Sequence, residues 1–292
     1  MPTVGVLCSG KLGLTTLRSI YGKHLVKFVL TDGRSEEIIT FCKENGIPIF
    51  VGNPRNGEGY SFIKQLEVDV IASVNYLFLI EKDIIEHPKK LCFNVHGSLL
   101  PRYRGRTPHV WAIINNEKET GITAHVIEEG CDTGDILKQI RIPIEAADTG
   151  ATILDKFATH YPELVNDIIV ASIHDLSKTP QDKSKATYFG KRVPEDGLID
   201  WNWSRERIYN WVRAMAFPYP GAYTYYEGKK IIIDSVSFSE DGFHFKDPNG
   251  KLLSTHPQPV VKTPNGALSL DLVRTENCIF EKEKIFQNEN RP

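Results

Sequence analysis

The sequence predicts an α/β fold, in which a parallel sheet carries helices on both faces, followed by a smaller β-rich region. Two observations lead to this prediction. From Val4 to Val74, short runs rich in β-branched residues alternate with segments of helical pattern, as in successive βαβ units. Beyond Met215 the chain alternates polar and apolar residues and turns frequently, as in "AYTYYEGKKIIID" and "PVVKTPNGALSLDLV", which is typical of an antiparallel barrel or sandwich.

The first half of the chain supplies these elements in regular order. Predicted helices cover Leu12–Tyr21, Glu36–Asn45 and Ser61–Leu66, and they lie between the predicted strands Val4–Cys8, Val26–Leu30, Ile47–Val51, Val68–Val74 and Leu91–Val95. Ligands of open parallel sheets bind beyond the carboxyl ends of the strands. The segment that follows Val95 therefore lies where a ligand is expected.

Two further strands and a long helix follow this segment. A helix is predicted from about His109, and it is followed by strands Gly121–Ile127 and Ile136–Ile142 and by a helix over Ala151–Ile173. Residues 177–197 are polar and rich in Pro and Gly, which is typical of a connection between domains. We expect a first domain over residues 1–196 and a second over 197–292, which begins with a short helix at Arg205–Met215.

The composition favours a small-molecule partner. The 292 residues are 41% hydrophobic and 25% charged with a formal net charge of −2, so nothing attracts the whole protein to nucleic acid or to an anionic membrane. No segment approaches the about 20 apolar residues of a membrane span, and no signal peptide precedes the first strand, so we expect a cytoplasmic protein. The cysteines form no C-x-x-C pair and are expected to be reduced and mostly buried: Cys8, Cys42, Cys92, Cys131 and Cys278.

The stretch "FNVHGSLLPRYRGR", from Phe93 to Arg106, carries the residues best suited to chemistry. Asn94 and His96 are two positions apart on an extended segment, so their side chains point to the same side. A histidine can exchange a proton near neutral pH, and an asparagine amide can donate a hydrogen bond to an oxyanion. Asp132, in a loop after the Gly121–Ile127 strand, could orient His96 or raise its pKa, with Asp135 as the alternative.

Other candidates have plainer interpretations beside the functional one. Gly10 and Gly13 match neither a dinucleotide fingerprint nor a P-loop, and a tight strand-to-helix turn explains them. Nearby Ser9 and Lys11 remain candidate contacts for a phosphate or sugar. The polar residues after His96 are either solvated loop residues or a phosphate site: Ser98, Arg102, Arg104 and Arg106.

Taken together, these residues resemble the formyltransferase family that uses N10-formyltetrahydrofolate. The resemblance rests on the stretch above and on "PHVWAI", "ETGITAHVIEEGCDTGDIL", "IDWNW" and "VRAMAFPYPGAYTYYEGKKIIID", so it covers nearly the whole chain. It implies a Rossmann-like formyltransferase domain followed by a small OB-like barrel. It also implies a homodimer by analogy.

The resemblance also implies a mechanism and a set of site residues. Asn94, His96 and Asp132 would transfer the formyl group from the folate to an amine: the Asn94 amide and His96 hold the oxyanion, and Asp132 keeps His96 protonated and helps to remove the amine proton. No metal is required. The family's pterin pocket would fall on backbone near Glu128 and on the loop after the fourth strand: Leu77, Phe78, Leu79 and Ile80.

The acceptor amine is expected on a nucleotide-linked sugar. The glycinamide ribonucleotide enzymes of the family resemble only the first part of the chain. Transfer to methionyl-tRNA is the alternative, but residues 205–292 hold 12 Lys and Arg against 11 Asp and Glu, and "TDGRSEEIIT" lacks the long basic loop of the tRNA enzymes. "ATYFGKRVPEDGLIDW" resembles the amino-sugar enzymes, including those acting on UDP-4-amino-4-deoxyarabinose.

We therefore expect a dTDP- or UDP-linked amino deoxysugar as the acceptor. Its candidate contacts are Lys11, Ser98 and Arg102, with Trp211, Tyr223 and Tyr225 as weaker aromatic candidates that packing would also explain. Two other classes of protein are alternatives to this interpretation. A hydrolase would release formate without an acceptor, and a non-catalytic nucleotide-binding protein would transfer no formyl group.

Overall fold

A computed structural model describes residues 1–174, 176–274 and 278–287. The chain divides into two compact units. The first comprises Met1–Gly105, Thr120–Pro143 and Asp155–Phe189, and the second comprises Arg106–Glu119, Ile144–Leu154 and Gly190–Pro292. Within the described residues, no helix is both long and apolar enough to cross a membrane.

Fourteen strands and seven α-helices are found in the described part of the chain. The strands are β1 (Thr3–Cys8), β2 (Leu25–Thr31), β3 (Ile49–Val51), β4 (Val70–Val74), β5 (Leu91–His96), β6 (Arg104–Gly105), β7 (Glu119–Val126), β8 (Ile136–Pro143), β9 (Tyr188–Phe189), β10 (Ala222–Tyr226), β11 (Lys229–Ser239), β12 (Leu252–Ser254), β13 (Val260–Thr263) and β14 (Gly266–Arg274). The helices are α1 (Gly10–Tyr21), α2 (Glu36–Glu44), α3 (Glu58–Ile63), α4 (Lys82–Ile85), α5 (Pro108–Ile114), α6 (Gly150–Ala171) and α7 (Arg205–Met215).

The first unit is built on a seven-stranded sheet in the order β3-β2-β1-β4-β5-β7-β8. The five strands from β3 to β5 run parallel, and β1, β2, β4 and β5 are largely buried, as expected of strands covered on both faces. One core cluster packs against them: Leu7, Phe28, Leu30, Ile63, Val68, Ile71, Ile84 and Cys92. The predicted α/β class is confirmed.

The sheet is mixed, whereas the sequence pattern predicted a parallel one. β7 runs antiparallel to β5, with Asn94 opposite His125 and His96 opposite Thr123. A parallel connection needs a crossover of a dozen or more residues, usually a helix that packs on the same sheet. Between β5 and β7 the described helix is the seven-residue α5, which belongs to the second unit. β7 therefore pairs with β5 without a crossover helix packed on the sheet.

The second unit holds the predicted β-rich region. Its five antiparallel strands lie in the order β10-β11-β14-β13-β12, and α7 packs against β11 and α5. Ser204 caps α7 by accepting a hydrogen bond from Arg207 N at 3.3 Å. Ile208, Trp211, Val212 and Met215 recur at helical spacing on the buried face of α7. The short amphipathic pattern therefore forms the helix that the sequence predicts.

Gly121 on β7 is required by close packing, which gives a test of this fold. A Cβ at this position would lie 2.2 Å from Ile140 O and 2.5 Å from Leu99 Cδ2, so backbone and side chain would both have to move. We expect Gly121→Ala to lower the free energy of unfolding by about 1–3 kcal/mol in urea titrations. Gly33→Ala is the control, because its Cβ would meet no atom within 4 Å. Equal stability of the two variants would contradict this packing.

Candidate active site

The candidate site lies where β5 ends against β7. Side chains alternate along a strand, so Asn94 and His96 point to one face of the sheet, with His125 and Thr123 directly opposite them on β7. Thr123 also fixes the turn after His96, because its hydroxyl donates to Ser98 O at 2.6 Å and accepts from Leu100 N at 3.2 Å. Strand pairing thus places four polar side chains in one row.

His96 is buried between two acceptors. Its Nε2 lies 2.8 Å from Tyr103 O, and its Nδ1 lies 3.5 Å from Asp132 Oδ1. A carbonyl oxygen can only accept, so the Nε2 atom carries a proton. The Nδ1 atom then faces the Asp132 carboxylate. This arrangement suits an imidazole that alternates between its neutral and its protonated form.

Asp132 is held in the left-handed region of backbone space, with φ of 54°. Non-glycine residues seldom occupy this region, and Asn and Asp tolerate it best. Gly134 lets this loop pass close to the end of β7, because a Cβ at this position would lie 2.1 Å from Val126 O. In this position Asp132 Oδ2 accepts a hydrogen bond from Gly105 N at 2.9 Å, and Oδ1 lies 3.6 Å from His125 Nε2.

Burial and charge act against each other on this pair. Burial would raise the pKa of Asp132, but the charge of protonated His96, a hydrogen bond from protonated His125 and the Gly105 N–H stabilise the carboxylate and hold its pKa well below its usual range. Burial lowers the pKa of His96, and this effect exceeds the opposing charge of Asp132 and the bond to Tyr103 O. In the free protein the carboxylate is therefore ionised and the imidazole is neutral near pH 7.

Asn94 and His125 form a second pair on the same face. His125 Nδ1 donates to Val126 O at 2.9 Å, so its Nε2 is free of a proton in the neutral ring and accepts from Asn94 Nδ2 at 3.2 Å. This tautomer follows from the hydrogen-bond partners. His125 thereby fixes which end of the Asn94 amide is the donor, and the same NH₂ group has a second N–H for a ligand oxygen.

The structure brings Asn94, His96 and Asp132 together, while their catalytic roles stay a prediction. Asp132, rather than the alternative Asp135, faces His96; Asp135 instead accepts from Val126 N through its backbone oxygen at 2.9 Å. The Asp132 charge acts to raise the pKa of His96, but burial outweighs it, so the pKa of His96 is lowered and the expectation that Asp132 keeps His96 protonated is wrong for the protein without ligands. Across the described part of the chain, no three His, Cys, Asp or Glu side chains are grouped to hold a metal ion.

The predicted folate-binding residues follow β4. Leu77, Phe78 and Ile80 are half-buried, and Leu79 is 64% exposed. Their apolar character alone suggested core residues, and Ile80 does pack against the core cluster of the sheet. Glu128 is exposed in the loop after β7.

The predicted substrate residues have mixed environments. Lys11 is exposed in the first turn of α1, and Arg102 is exposed, with its guanidinium 5.4 Å from the centre of the Tyr103 ring. Ser9 and Ser98 are buried, and the Ser98 hydroxyl donates to Arg102 O at 2.7 Å, so it closes the turn. Ser98 is therefore a turn hydroxyl in the free protein.

The aromatic candidates pack within the second unit. Trp211 Nε1 donates to Gly197 O at 3.2 Å, and Tyr223 OH donates to Glu195 O at 3.1 Å. Tyr225 is half-buried and meets the edge of the Tyr223 ring, with ring centres 5.8 Å apart. The packing interpretation explains Trp211 and Tyr223 without a ligand.

Three groups at the site were not identified from the sequence. His125 is in the alternating strand "GITAHVI", where its position on the same face as Asn94 becomes visible only once β7 is known to be antiparallel. The Tyr103 carbonyl and the Gly105 N–H are backbone groups, so residue type gives no signal for them. The glycine at position 105 is the one residue type in this group that could point to a close backbone approach. In the structure, a Cβ at Gly105 would lie 2.3 Å from Phe189 O.

Comparison with protein families matches two ranges of the chain. Residues 42–169 match the formyl transferase family, and residues 191–289 match the formyl transferase C-terminal domain. The chain belongs to the formyl transferase family. The β5 end with Asn94 and His96 and the loop with Asp132 both lie inside the first match, so the family assignment and the geometry concern the same part of the chain.

Relatives of this chain include a curated protein and solved structures. The bifunctional polymyxin resistance protein ArnA of Wigglesworthia glossinidia brevipalpis is 35% identical over 289 residues, which cover 94% of this chain and 43% of that protein. The chain thus spans less than half of that relative. The N-formyltransferase of Helicobacter canadensis, solved with folinic acid and dTDP-3-aminofucose, has a TM-score of 0.74 at 20% identity and covers 92% of this chain and 99% of its own.

A second solved structure shows the same fold. WlaRD, a sugar 3N-formyltransferase solved in the presence of dTDP and 5-N-formyl-THF, has a TM-score of 0.69 at 19% identity and covers 92% of this chain and 97% of its own. At identities this low, the likeness of these structures to this chain shows a shared fold.

The Asp132 charge gives the sharpest test of the site. We expect Asp132→Asn to lower turnover about 10²–10⁴-fold, because the amide keeps the shape and tolerates the left-handed backbone but removes the charge beside His96. Asp135→Asn is the matched control in the same loop and should retain most of the turnover. Steady-state formylation kinetics and thermal unfolding check both variants. Near-normal turnover in Asp132→Asn would remove this carboxylate from the chemistry.

The lowered pKa values predict a loss of stability in acid. The folded pKa of His96 lies below its ordinary 6.5, so protons bind preferentially to the unfolded chain as the pH falls below that value. The contribution of Asp132 is present above its ordinary 3.8 and is lost at lower pH, as its folded pKa is approached. We expect the free energy of unfolding to decrease between about pH 7.5 and about pH 5, and to decrease less in His96→Gln. Urea titrations at both pH values measure it, and equal decreases would refute the assignment to His96.

Proposed function

We propose that the protein transfers a formyl group from N10-formyltetrahydrofolate to the amino group of a nucleotide-linked amino deoxysugar. The observation that carries this proposal is the buried His96–Asp132 pair beside Asn94, on one face of the strand end that the family match includes. These three side chains combine a proton acceptor, a fixed negative charge and an amide donor, which are the groups that acyl transfer to an amine requires.

Each side chain has a distinct part in this reaction. The Asn94 amide, oriented by His125, donates to the carbonyl oxygen on which negative charge develops. Neutral His96 takes up a proton as the amine attacks, and the Asp132 carboxylate stabilises the imidazolium that results. The Gly105 N–H keeps the carboxylate in place while this charge appears. The folate supplies the formyl group.

The loop after β4 is the proposed place for the folate ring. Leu77, Phe78 and Ile80 offer half-buried apolar surface, and Leu79 is mostly exposed, so a bound ring would remove apolar side chains from water. The exposed residues Glu128, Glu129 and Gly130 are the proposed contacts for its polar edge. This arrangement has the usual character of a cofactor site, which is apolar with a few polar groups.

Several observations support a sugar nucleotide as the acceptor. The Helicobacter canadensis structure contains dTDP-3-aminofucose, and WlaRD acts on a sugar. The excess of basic residues from 205 to 292 is one charge, whereas tRNA binding requires many contacts to phosphates. Transfer to methionyl-tRNA is the competing function. We further propose that this enzyme acts on small molecules in the cytoplasm and forms a homodimer.

The proposal is tested by a formylation assay read by mass spectrometry. The protein and N10-formyltetrahydrofolate are incubated with a panel of dTDP- and UDP-linked amino sugars and, separately, with charged initiator methionyl-tRNA. We expect one formyl group on a sugar nucleotide and none on the tRNA. Because His96→Gln lacks the proton acceptor, it serves as the inactive control.

The other outcomes each identify a different function. Transfer to the tRNA alone would make the protein a translation enzyme with a weakly charged binding face. Formate release that is independent of every acceptor would identify a hydrolase. Binding of nucleotides without any transfer or hydrolysis would overturn the enzymatic proposal.

A further inference from the structure

A buried glutamine ties together the two segments that hold the candidate site. Gln181 Nε2 donates to Asp132 O at 2.8 Å and to Gly134 O at 2.7 Å, so both N–H groups of the amide bind the backbone of the Asp132 loop. Gln181 Oε1 accepts from Arg104 Nη2 at 2.7 Å and from Nε at 3.2 Å. One side chain thus uses both ends of its amide, and each end binds a different segment.

Arg104 is an inward-facing cation. It is 3% exposed, and besides Gln181 it binds the hydroxyl of Tyr188 and lies 5.2 Å from the centre of that ring. Within the described residues no carboxylate lies within ion-pair distance of its guanidinium. A buried charge satisfied only by neutral groups is costly. Arg104 is therefore neither a solvated loop charge nor a phosphate ligand in the free protein.

The residues on either side of Arg104 contact the catalytic side chains. Tyr103 O accepts from His96 Nε2 at 2.8 Å, and Gly105 N donates to Asp132 Oδ2 at 2.9 Å. Movement of Arg104 would therefore move both backbone groups. Gln181 also binds the backbone oxygen of Asp132. Hydrogen bonds from Gln181 and from Gly105 N therefore hold the main chain and the side chain of Asp132, respectively.

We propose that Gln181 and Arg104 act as a pair of positioning residues, which fix Asp132 against His96 for the reaction. This inference rests on the proposed function and adds two residues that do not touch the substrate. Gln181 supplies geometry by holding the Asp132 loop. Arg104 supplies geometry through Tyr103 and Gly105, and it also supplies a positive charge that acts on His96.

The charge of Arg104 distinguishes this role from simple packing. The titratable and charged groups around His96 are Asp132 in the loop after β7, His125 on β7, Arg104 on β6, and Tyr161 on α6, whose hydroxyl donates to Val95 O at 3.3 Å. The Asp132 charge raises the pKa of His96, and the charges of His125 and Arg104 lower it. Arg104 therefore favours the neutral imidazole, which is the form that accepts a proton.

The test compares three variants of the pair. Gln181→Glu keeps an acceptor for Arg104 but loses both donors to the Asp132 loop. Arg104→Lys keeps the charge but loses the forked geometry, and Arg104→Met loses both. We expect kcat to fall about 10²-fold in all three, with KM for the folate and the acceptor nearly unchanged, because misplaced catalytic groups affect turnover rather than binding.

Titration of His96 in the free protein gives the second readout. We expect Arg104→Met to raise the pKa of His96 and Arg104→Lys to leave it near the wild-type value, because only the first variant removes the positive charge. NMR spectra of labelled protein measure this pKa, and His96→Gln assigns the signal. The titration needs no substrate, so it tests the pair even if the wild-type protein transfers no formyl group to any acceptor.

Asp182→Asn is the matched control. Asp182 Oδ1 accepts from Ser184 N at 3.0 Å and from Ser184 Oγ at 2.6 Å, so the hydrogen bonds of this neighbour of Gln181 stay within its own segment. Its kcat should stay close to that of the wild type. If Arg104→Met fails to fold by circular dichroism, Arg104→Lys and Gln181→Glu decide the question through kcat.

Two results would overturn the proposal. One is a kcat for Gln181→Glu and Arg104→Lys that equals that of Asp182→Asn. The other is a folded Arg104→Met in which the pKa of His96 equals the wild-type value. Either result would reduce the pair to packing.

Discussion

The antiparallel pairing of β5 with β7 is the constraint on which the candidate site depends. Its register sets Asn94 opposite His125 and His96 opposite Thr123, so the four side chains share one face. A slip of one residue would turn every side chain of β7 to the other face. The same pairing carries the chain into the loop that returns Asp132 to His96, and Gly134 allows this loop to close tightly on Val126.

Around this pairing, the site uses burial and charge in opposition. A dry environment strengthens the attraction between an imidazolium and a carboxylate, but it disfavours both ions. The protein keeps the carboxylate ionised with the Gly105 N–H and with the positive charge that His96 or His125 carries when protonated, and burial favours neutral His96, assisted by the nearby charge of Arg104. In the proposed reaction, His96 therefore gains a proton as the amine attacks instead of holding one beforehand.

The arginine-rich turn after His96 serves this site mainly through its backbone. Tyr103 contributes a carbonyl and Gly105 an N–H, while the Ser98 hydroxyl closes the turn. Arg102 remains exposed, whereas Arg104 is buried on Gln181 and Tyr188. Neighbouring arginines that look alike in the sequence therefore have different physical roles. The family match identifies the segment, whereas the contacts of its individual residues distinguish the roles of its arginines.

The sequence by itself determined the α/β class, the β-rich second region, the family and the pairing of an Asn94-x-His96 strand end with an acidic loop. These features depend on local periodicity and residue type, which neighbouring residues encode. Tertiary structure alone decided the direction of β7, the place of His125 beside Asn94, and the burial of Arg104. Each depends on partners far along the chain, such as Gln181, 77 positions after Arg104. No local pattern specifies such pairings, because their free energy arises only when distant segments meet.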